Sequence, residues 1–225
     1  MRGQGAIANK FRGSGQTCVC ANRIYVQSSV YADFASRLAE KVAAFTVGDG
    51  LDDKTYFITG FLDCRGFDGF YFFRRTLGPL IHDRAIDKVA RHVEDAVSQG
   101  AQILVGGKSL DLGGSFFAPT VLCDVPHGTM IDDEETFGPL AALTKFETEE
   151  EVIRLANATD VGLAGYFFSR DIGRVWRVAE ALEVGMVGAN TGLISHASIP
   201  FGGVKESGIG EFLWPRVLYS GLTAS

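Results

Sequence analysis

Short β-rich runs and longer amphipathic stretches take turns along the chain. "RIYVQ" (23–27) has strand character, and after it Val30, Phe34, Leu38, Val42 and Phe45 recur at spacings of three and four, the stripe of one helix face. "DRAIDKVARHVEDAVSQGA" repeats the theme with Ile86, Val89, Val93 and Val97, and Gly100 stands where a helix C-cap belongs. "QILVGG" (102–107) predicts a short buried strand ending in a glycine turn. "LAALTKF", "GLAGYFFS" and "GMVGAN" predict strands, with "TEEEVIRLANA" and "DIGRVWRVAEAL" as helices between them. Thr148 followed by Glu151, and Ser169 or Asp171 before the next apolar run, are the expected helix caps. Strands alternating with helices of ten to fifteen residues build βαβ units, so the expected class is α/β, a mostly parallel sheet flanked by helices.

Two stretches break the pattern. Residues 54–75 hold six phenylalanines and two tyrosines with no steady period, and the tail "EFLWPRVLYSGLTAS" (211–225) has none either. The rest of the composition excludes several classes. With a net charge of −6 and a pI near 5.2, the chain carries no basic stripe able to neutralise phosphates, so nucleic acid is not an expected partner. Its apolar runs fall well short of the roughly 20 residues that span a bilayer, so no membrane helix is expected. Four scattered cysteines among 225 residues suit a reducing compartment better than a disulfide scaffold. The N-terminal stretch lacks the apolar core of a secretory signal, which implies the cytosol unless the natural N-terminus is missing.

Three constellations could carry chemistry. In "FRGSGQTCVC" (11–20), Cys18 and Cys20 follow a Gly-Gln-Thr turn, with Arg12 six residues before the first thiol. These thiols fit buried packing, a strained redox-active disulfide, or a nucleophile whose turn presents sulfur and backbone N–H together. The dispersed histidines and remaining cysteines supply no second ligand pair, so no metal is expected. "EETFGP" (134–139) fits a turn closed by Gly-Pro with solvated acids. "NTGLIS…PFGGVKESGIG" (190–210) is a glycine-rich loop that matches neither standard phosphate-cradling pattern.

Taken together and in this order, "GQTC", "EETFGP" and "PFGGVKESGIG" closely resemble the catalytic half of the aldehyde dehydrogenase superfamily. The longer strings "KFRGSGQTCVCANR", "LANATDVGLAGYFFSRD" and "LEVGMVGANTGLIS" resemble its succinate-semialdehyde dehydrogenase branch. The resemblance implies NAD(P)-dependent oxidation of succinic semialdehyde to succinate, in the breakdown of 4-aminobutyrate. Cys18 would add to the aldehyde carbon as a thiohemiacetal, and water would later release the acid from a thioester. The Cys18 N–H would be one oxyanion donor. Glu135 and Phe137 match residues that bind the nicotinamide ribose and pack near the ring. Arg12 and Ser195 match a grip on the substrate's far carboxylate, a task suited to a planar guanidinium and a hydroxyl. Phe201 matches a residue lining the mouth of the site, and Cys20 a partner of Cys18 in a redox switch.

The expected organisation is therefore a catalytic domain over residues 1–210, interrupted by an atypical insertion at 54–75 and followed by an atypical tail at 211–225. Family members are about twice as long. Their cofactor domain, general-base glutamate and second oxyanion donor have no counterpart here. The family implies homo-oligomers, which the altered tail puts in question for this chain, and a mitochondrial location for a eukaryotic source, otherwise cytoplasmic. Two other readings remain open: an aldehyde dehydrogenase of different substrate, and a non-catalytic chain that associates with full-length subunits.

Overall fold

The computed structural model describes residues 2–49, 76–196, 200–209 and 217–220. The aromatic-rich stretch 54–75 and most of the tail lie outside the described residues. The helices used below are α1 (Arg2–Lys10), α2 (Ser28–Ala43), α3 (Asp83–Ser98), α4 (Glu149–Asn157) and α5 (Ile172–Ala181). The longer strands are β1 (Arg23–Gln27), β2 (Gln102–Val105), β3 (Thr120–Cys123), β4 (Leu140–Phe146), β5 (Ala164–Phe167), β6 (Met186–Ala189) and β7 (Val217–Ser220).

One sheet has the order β1-β4-β3-β2. Its β1–β4 and β3–β4 pairs are parallel and only β2 runs antiparallel. The second sheet, β5-β6-β7, is parallel throughout. The architecture is α/β with mostly parallel sheets, as the alternation predicts. The first half of the central strand β4, residues 140–143, reads as an unbroken apolar run because both its faces are covered. Ala141 and Leu143 pack with Tyr31, Leu38 and Val42 of α2, while Leu140 and Ala142 pack with Val89, Val93 and Ala96 of α3. In the second sheet Val187 meets Val178, Ala179 and Leu182 at α5, and its neighbour Met186 points the other way, onto Val19 and Ile194.

The helix ends follow local chemistry. Thr148 and Glu151 form a reciprocal capping box at α4, and Asp171 caps α5 by accepting from the Arg174 N–H. Beyond α3, Gly100 takes φ 114°; its N–H donates to Val97 and the Ala101 N–H to Ala96, a Schellman closure. Two helix faces are rotated from the expected stripes. In α2 the buried row is Tyr31, Ala35, Leu38 and Val42, with Val30 exposed, because the Tyr31 hydroxyl donates to the Leu143 carbonyl at 3.1 Å and accepts from the Asp124 N–H. In α3 His92 and Ala96 are buried and Val97 is exposed. Strand β2 is also unlike the buried strand expected there: it lies at the sheet edge with Ile103 and Leu104 exposed, since only β3 pairs with it.

On either side of the aromatic-rich stretch the chain is closed on itself. Thr46–Val47 pairs in parallel with Thr76–Leu77, and Gly48 N–H donates to the Leu77 carbonyl at 3.0 Å. Within the tail, Val217–Ser220 supplies β7, in register with Met186–Ala189.

Candidate active site

The turn that carries Cys18 begins where α1 ends. Gly13, Ser14 and Gly15 all take positive φ (55°, 58° and 77°), which reverses the chain within three residues. A non-glycine residue there costs free energy, and Ser14 is held in place by donating from Oγ to the Gly78 carbonyl at 2.9 Å. Gln16 adds a second fastening, accepting from the Ile81 N–H at 2.9 Å while its amide reaches the Gly13 and Pro79 carbonyls. The next turn, closed by Cys20 N–H to the Thr17 carbonyl at 3.0 Å, puts Cys18 on the surface and Val19 and Cys20 beneath it. The two thiols therefore differ. Cys18 is exposed, whereas the Cys20 thiol points inward, donating to the Asn9 carbonyl at 3.0 Å with Thr17 Oγ1 at 2.7 Å.

Side chains from two other elements hold this turn from below. The Val19 carbonyl accepts from both Asn9 Nδ2 (3.1 Å) and the Tyr166 hydroxyl (2.9 Å), and Asn9 Oδ1 accepts from the Ala21 N–H at 2.7 Å. Burial pushes the Tyr166 phenol well above its ordinary pKa; the nearby thiols Cys20 and Cys18 add to this, and Asn9 and the Arg12 guanidinium oppose it.

The stretch 134–139 lies directly against the turn. A Cβ on Gly15 would strike the Gly138 carbonyl, so the two backbones meet at a pair of glycines. Thr136, buried, is bound at all three of its polar groups. Its N–H donates to Asn22 Oδ1 at 3.2 Å, its carbonyl accepts from Lys10 Nζ at 3.3 Å, and its hydroxyl is 2.8 Å from His92 Nδ1. Burial is the main influence holding the His92 imidazole below its ordinary pKa, against the hydrogen bond of Glu134. On either side of Thr136 the side chains of Glu135 and Phe137 are exposed. Desolvation raises the Glu135 carboxyl, and the cations Lys88 and Lys10 oppose the shift.

The third constellation is joined less tightly. Asn9 Nδ2 also donates to the Gly192 carbonyl at 3.2 Å, and Ile194 is buried against Val19 and Met186. Ser195 follows it, exposed. Phe201 is 49% exposed on the loop whose Gly202 backbone abuts Gly185 at the start of β6. Lys205 is no free cation: its ammonium donates to the Asn157 and Thr159 carbonyls, both at 2.8 Å, and pairs with Glu183 at 2.6 Å. The structure thus sets the turn of Arg12 and Cys18 against the stretch of Glu135 and Phe137, and places Ser195 next to Ile194, which packs on Val19; Phe201 lies on the glycine loop, whose Gly202 meets Gly185. Among the described residues no cluster of His, Cys, Asp or Glu has the makings of a metal site.

Sequence reasoning missed Asn9, Lys10, Asn22, His92, Thr136 and Tyr166. Only His92 left a usable signal, a polar residue beside Val89 and Val93 on the apolar stripe of α3.

The model of the aldehyde dehydrogenase family matches residues 3–222. The chain belongs to the aldehyde dehydrogenase family. It is 54% identical over 206 residues to succinate-semialdehyde dehydrogenase [NADP(+)] 1 of Schizosaccharomyces pombe, covering 91% of this chain and 37% of that protein. It is 53% identical over 208 residues to glutarate-semialdehyde dehydrogenase of Pseudomonas putida, covering 92% of this chain and 39% of the relative. The mitochondrial succinate-semialdehyde dehydrogenase of Homo sapiens is 50% identical, with 35% of its length covered. Among aldehyde dehydrogenases of known structure, succinate-semialdehyde dehydrogenase from Burkholderia pseudomallei superposes with a TM-score of 0.82 at 51% identity, over 92% of this chain and 39% of that one. The chain spans well under half the length of the relatives it matches.

Proposed function

We propose that the chain carries the nucleophile and substrate grip of a NAD(P)-dependent dehydrogenase of aldehydes bearing a distal carboxylate, succinic semialdehyde first among them. The observation that carries this reading is the exposed Cys18 thiol, raised on a turn whose backbone Asn9 and Tyr166 hold from below, with Arg12 six residues before it in the sequence. In this reading the Cys18 thiolate adds to the carbonyl carbon, and the Cys18 N–H meets the developing oxyanion. Arg12 holds the far carboxylate through paired N–H donors, with the Ser195 hydroxyl as a neutral second donor. Phe201 lines the approach. Cys20, two residues on, is the partner for a Cys18–Cys20 disulfide once its thiol leaves the Asn9 carbonyl: a peroxide would take two electrons and two protons from the thiol pair, becoming water, or water and an alcohol, and dithiothreitol would return them.

The residues present suit a dinucleotide on the neighbouring stretch: Glu135 offers an exposed carboxylate able to accept from ribose hydroxyls, and Phe137 an exposed ring. Bound there, NAD or NADP would supply the two-electron acceptor. Succinate- and glutarate-semialdehyde dehydrogenases match this chain at similar identity, which supports the carboxylated class rather than one chain length. The compartment proposed is mitochondrial for a eukaryotic source and cytoplasmic otherwise, in line with the human relative's name. A second reading is a non-catalytic chain that associates with full-length subunits. Co-purification with a full-length relative in place of turnover with NAD or NADP would select it.

The substrate reading is tested on the thiol itself. Succinic semialdehyde should protect Cys18 from iodoacetamide at concentrations roughly tenfold lower than butanal does, and Arg12→Ala should erase the difference. Equal protection by both aldehydes in the unaltered chain would overturn the carboxylate grip.

A further inference from the structure

Lys10 is completely buried, at the end of α1, and the chemistry proposed above gives it no task. An ammonium without water must find acceptors, because desolvating a charge is costly unless it is paired and hydrogen-bonded. Its two hydrogen-bond acceptors are unusually placed. One is the carbonyl of Thr136, between Glu135 and Phe137; the other is Asn22 Oδ1, which also accepts the Thr136 N–H. Lys10 therefore holds the Thr136 backbone twice, directly at its carbonyl and through Asn22 at its amide. The residue before it in α1, Asn9, binds Val19 and Ala21 on either side of Cys20. Two successive side chains of one helix end thus hold the nucleophile turn and the stretch beside it.

We propose that Lys10 is a positioning residue that fixes Glu135 and Phe137 against the nucleophile turn by gripping the backbone of Thr136. This rests on the reading that Glu135 and Phe137 meet the dinucleotide, but the grip itself can be measured without one. The charged and titratable groups facing the ammonium are Cys20 and Glu135, with His92, Glu134 and Lys88 around the far side of Thr136. Burial, partly offset by Cys20 and Glu135, lowers Lys10 to about 8, so its charge changes in an accessible range. His92, held below its ordinary value, titrates in a lower range and does not confuse the readout.

The test is amide hydrogen exchange of the 225-residue chain by mass spectrometry, following the peptide that contains residues 134–138. Lys10→Met keeps the length and apolar stem and removes the donor. In a folded K10M chain, exchange at 134–138 should quicken at least tenfold while the amides of α2 and β4 stay within twofold. Unchanged exchange at 134–138, or an equal rise everywhere, overturns the proposal, since a lysine that only fills space would give one or the other. The unaltered chain supplies a second measurement that stands even if K10M fails to fold. Its protection at 134–138, corrected for intrinsic exchange, should rise between pH 7 and 9, because opening the grip returns the ammonium to water, where it holds its proton more tightly than in its buried site; no change there overturns the proposal. Failure of Cys18 protection by aldehyde would sink the functional reading instead, and leaves this exchange result untouched.

Discussion

The turn that carries Cys18 and the glycine loop both belong to the proposed site, yet they are held in different ways. Buried and half-buried polar groups fasten the turn: Asn9, Gln16 and Tyr166 grip its backbone or bond to its neighbour, and Lys10, Asn22 and His92 lock the Glu135 stretch beside it. Residues 200–209 are held at the surface, by a two-residue strand pairing, the Glu206 N–H to the Asp160 carbonyl, the Gly162 N–H to Ser207 Oγ, a close glycine contact at Gly185 and the three contacts of Lys205, with Phe201 and Ile209 exposed. A nucleophile loses rate if displaced by an ångström, whereas the mouth of a site can adjust to what enters. The contrast suggests that rigidity has been concentrated where covalent chemistry would occur.

The sharpest way to break the contrast is at the glycine pair. Gly15→Ala would drive a Cβ into the Gly138 carbonyl at φ 77°, and should cost about 4 kcal/mol or more in urea unfolding. Gly13→Ala, also at positive φ but with open space around it, should cost only about 1–2 kcal/mol. Next in size is a pH effect from Lys10. Its folded pKa of about 8 lies below the unfolded 10.5, so between these values the unfolded chain holds a proton that the folded one lacks. Stability should therefore rise with pH from about 8 to 10.5, by roughly 3 kcal/mol at about 1.4 kcal/mol per unit, relative to the K10M chain. Urea midpoints of the two proteins across that range would check this.

Asn9→Ala removes donors from the Val19 and Gly192 carbonyls and an acceptor from Ala21, and should cost about 2–3 kcal/mol by the same assay. On the glycine loop the losses should be smaller. Lys205→Met should cost about 1 kcal/mol, with faster amide exchange confined to residues around 157–160 and 204–206. Were Lys205→Met to cost as much as Asn9→Ala, the two regions would be equally rigid and the comparison would fail.

The α/β alternation was readable because burial imposes periods that survive in sequence. Leu140 and Ala142 face one layer and Ala141 and Leu143 the other, and a run buried on both sides shows itself as unbroken apolar residues. Helix faces were readable only to within one residue, because Tyr31 and His92 occupy buried positions that a hydrophobic pattern assigns to valines. Strand β2 shows the converse limit: an apolar run gives no sign that it will lie at a sheet edge. For the site, resemblance to one family is what put forward Cys18, Arg12, Glu135, Phe137, Ser195 and Phe201, since each motif alone reads as ordinary structure. The polar framework below them was illegible. Lys10 and Thr136 lie more than a hundred positions apart in sequence, and a buried lysine looks in sequence like any surface lysine.

The most direct measurement is the rate at which each thiol of the purified chain reacts with iodoacetamide, resolved by peptide mapping at neutral pH. Cys18 should be alkylated at least tenfold faster than Cys20 and Cys123, because it alone of these three is exposed while Cys20 is turned inward to the Asn9 carbonyl. Equal rates at Cys18 and Cys20, or faster reaction at Cys20, would mean the turn does not present Cys18 as described, and the account of the site would fail.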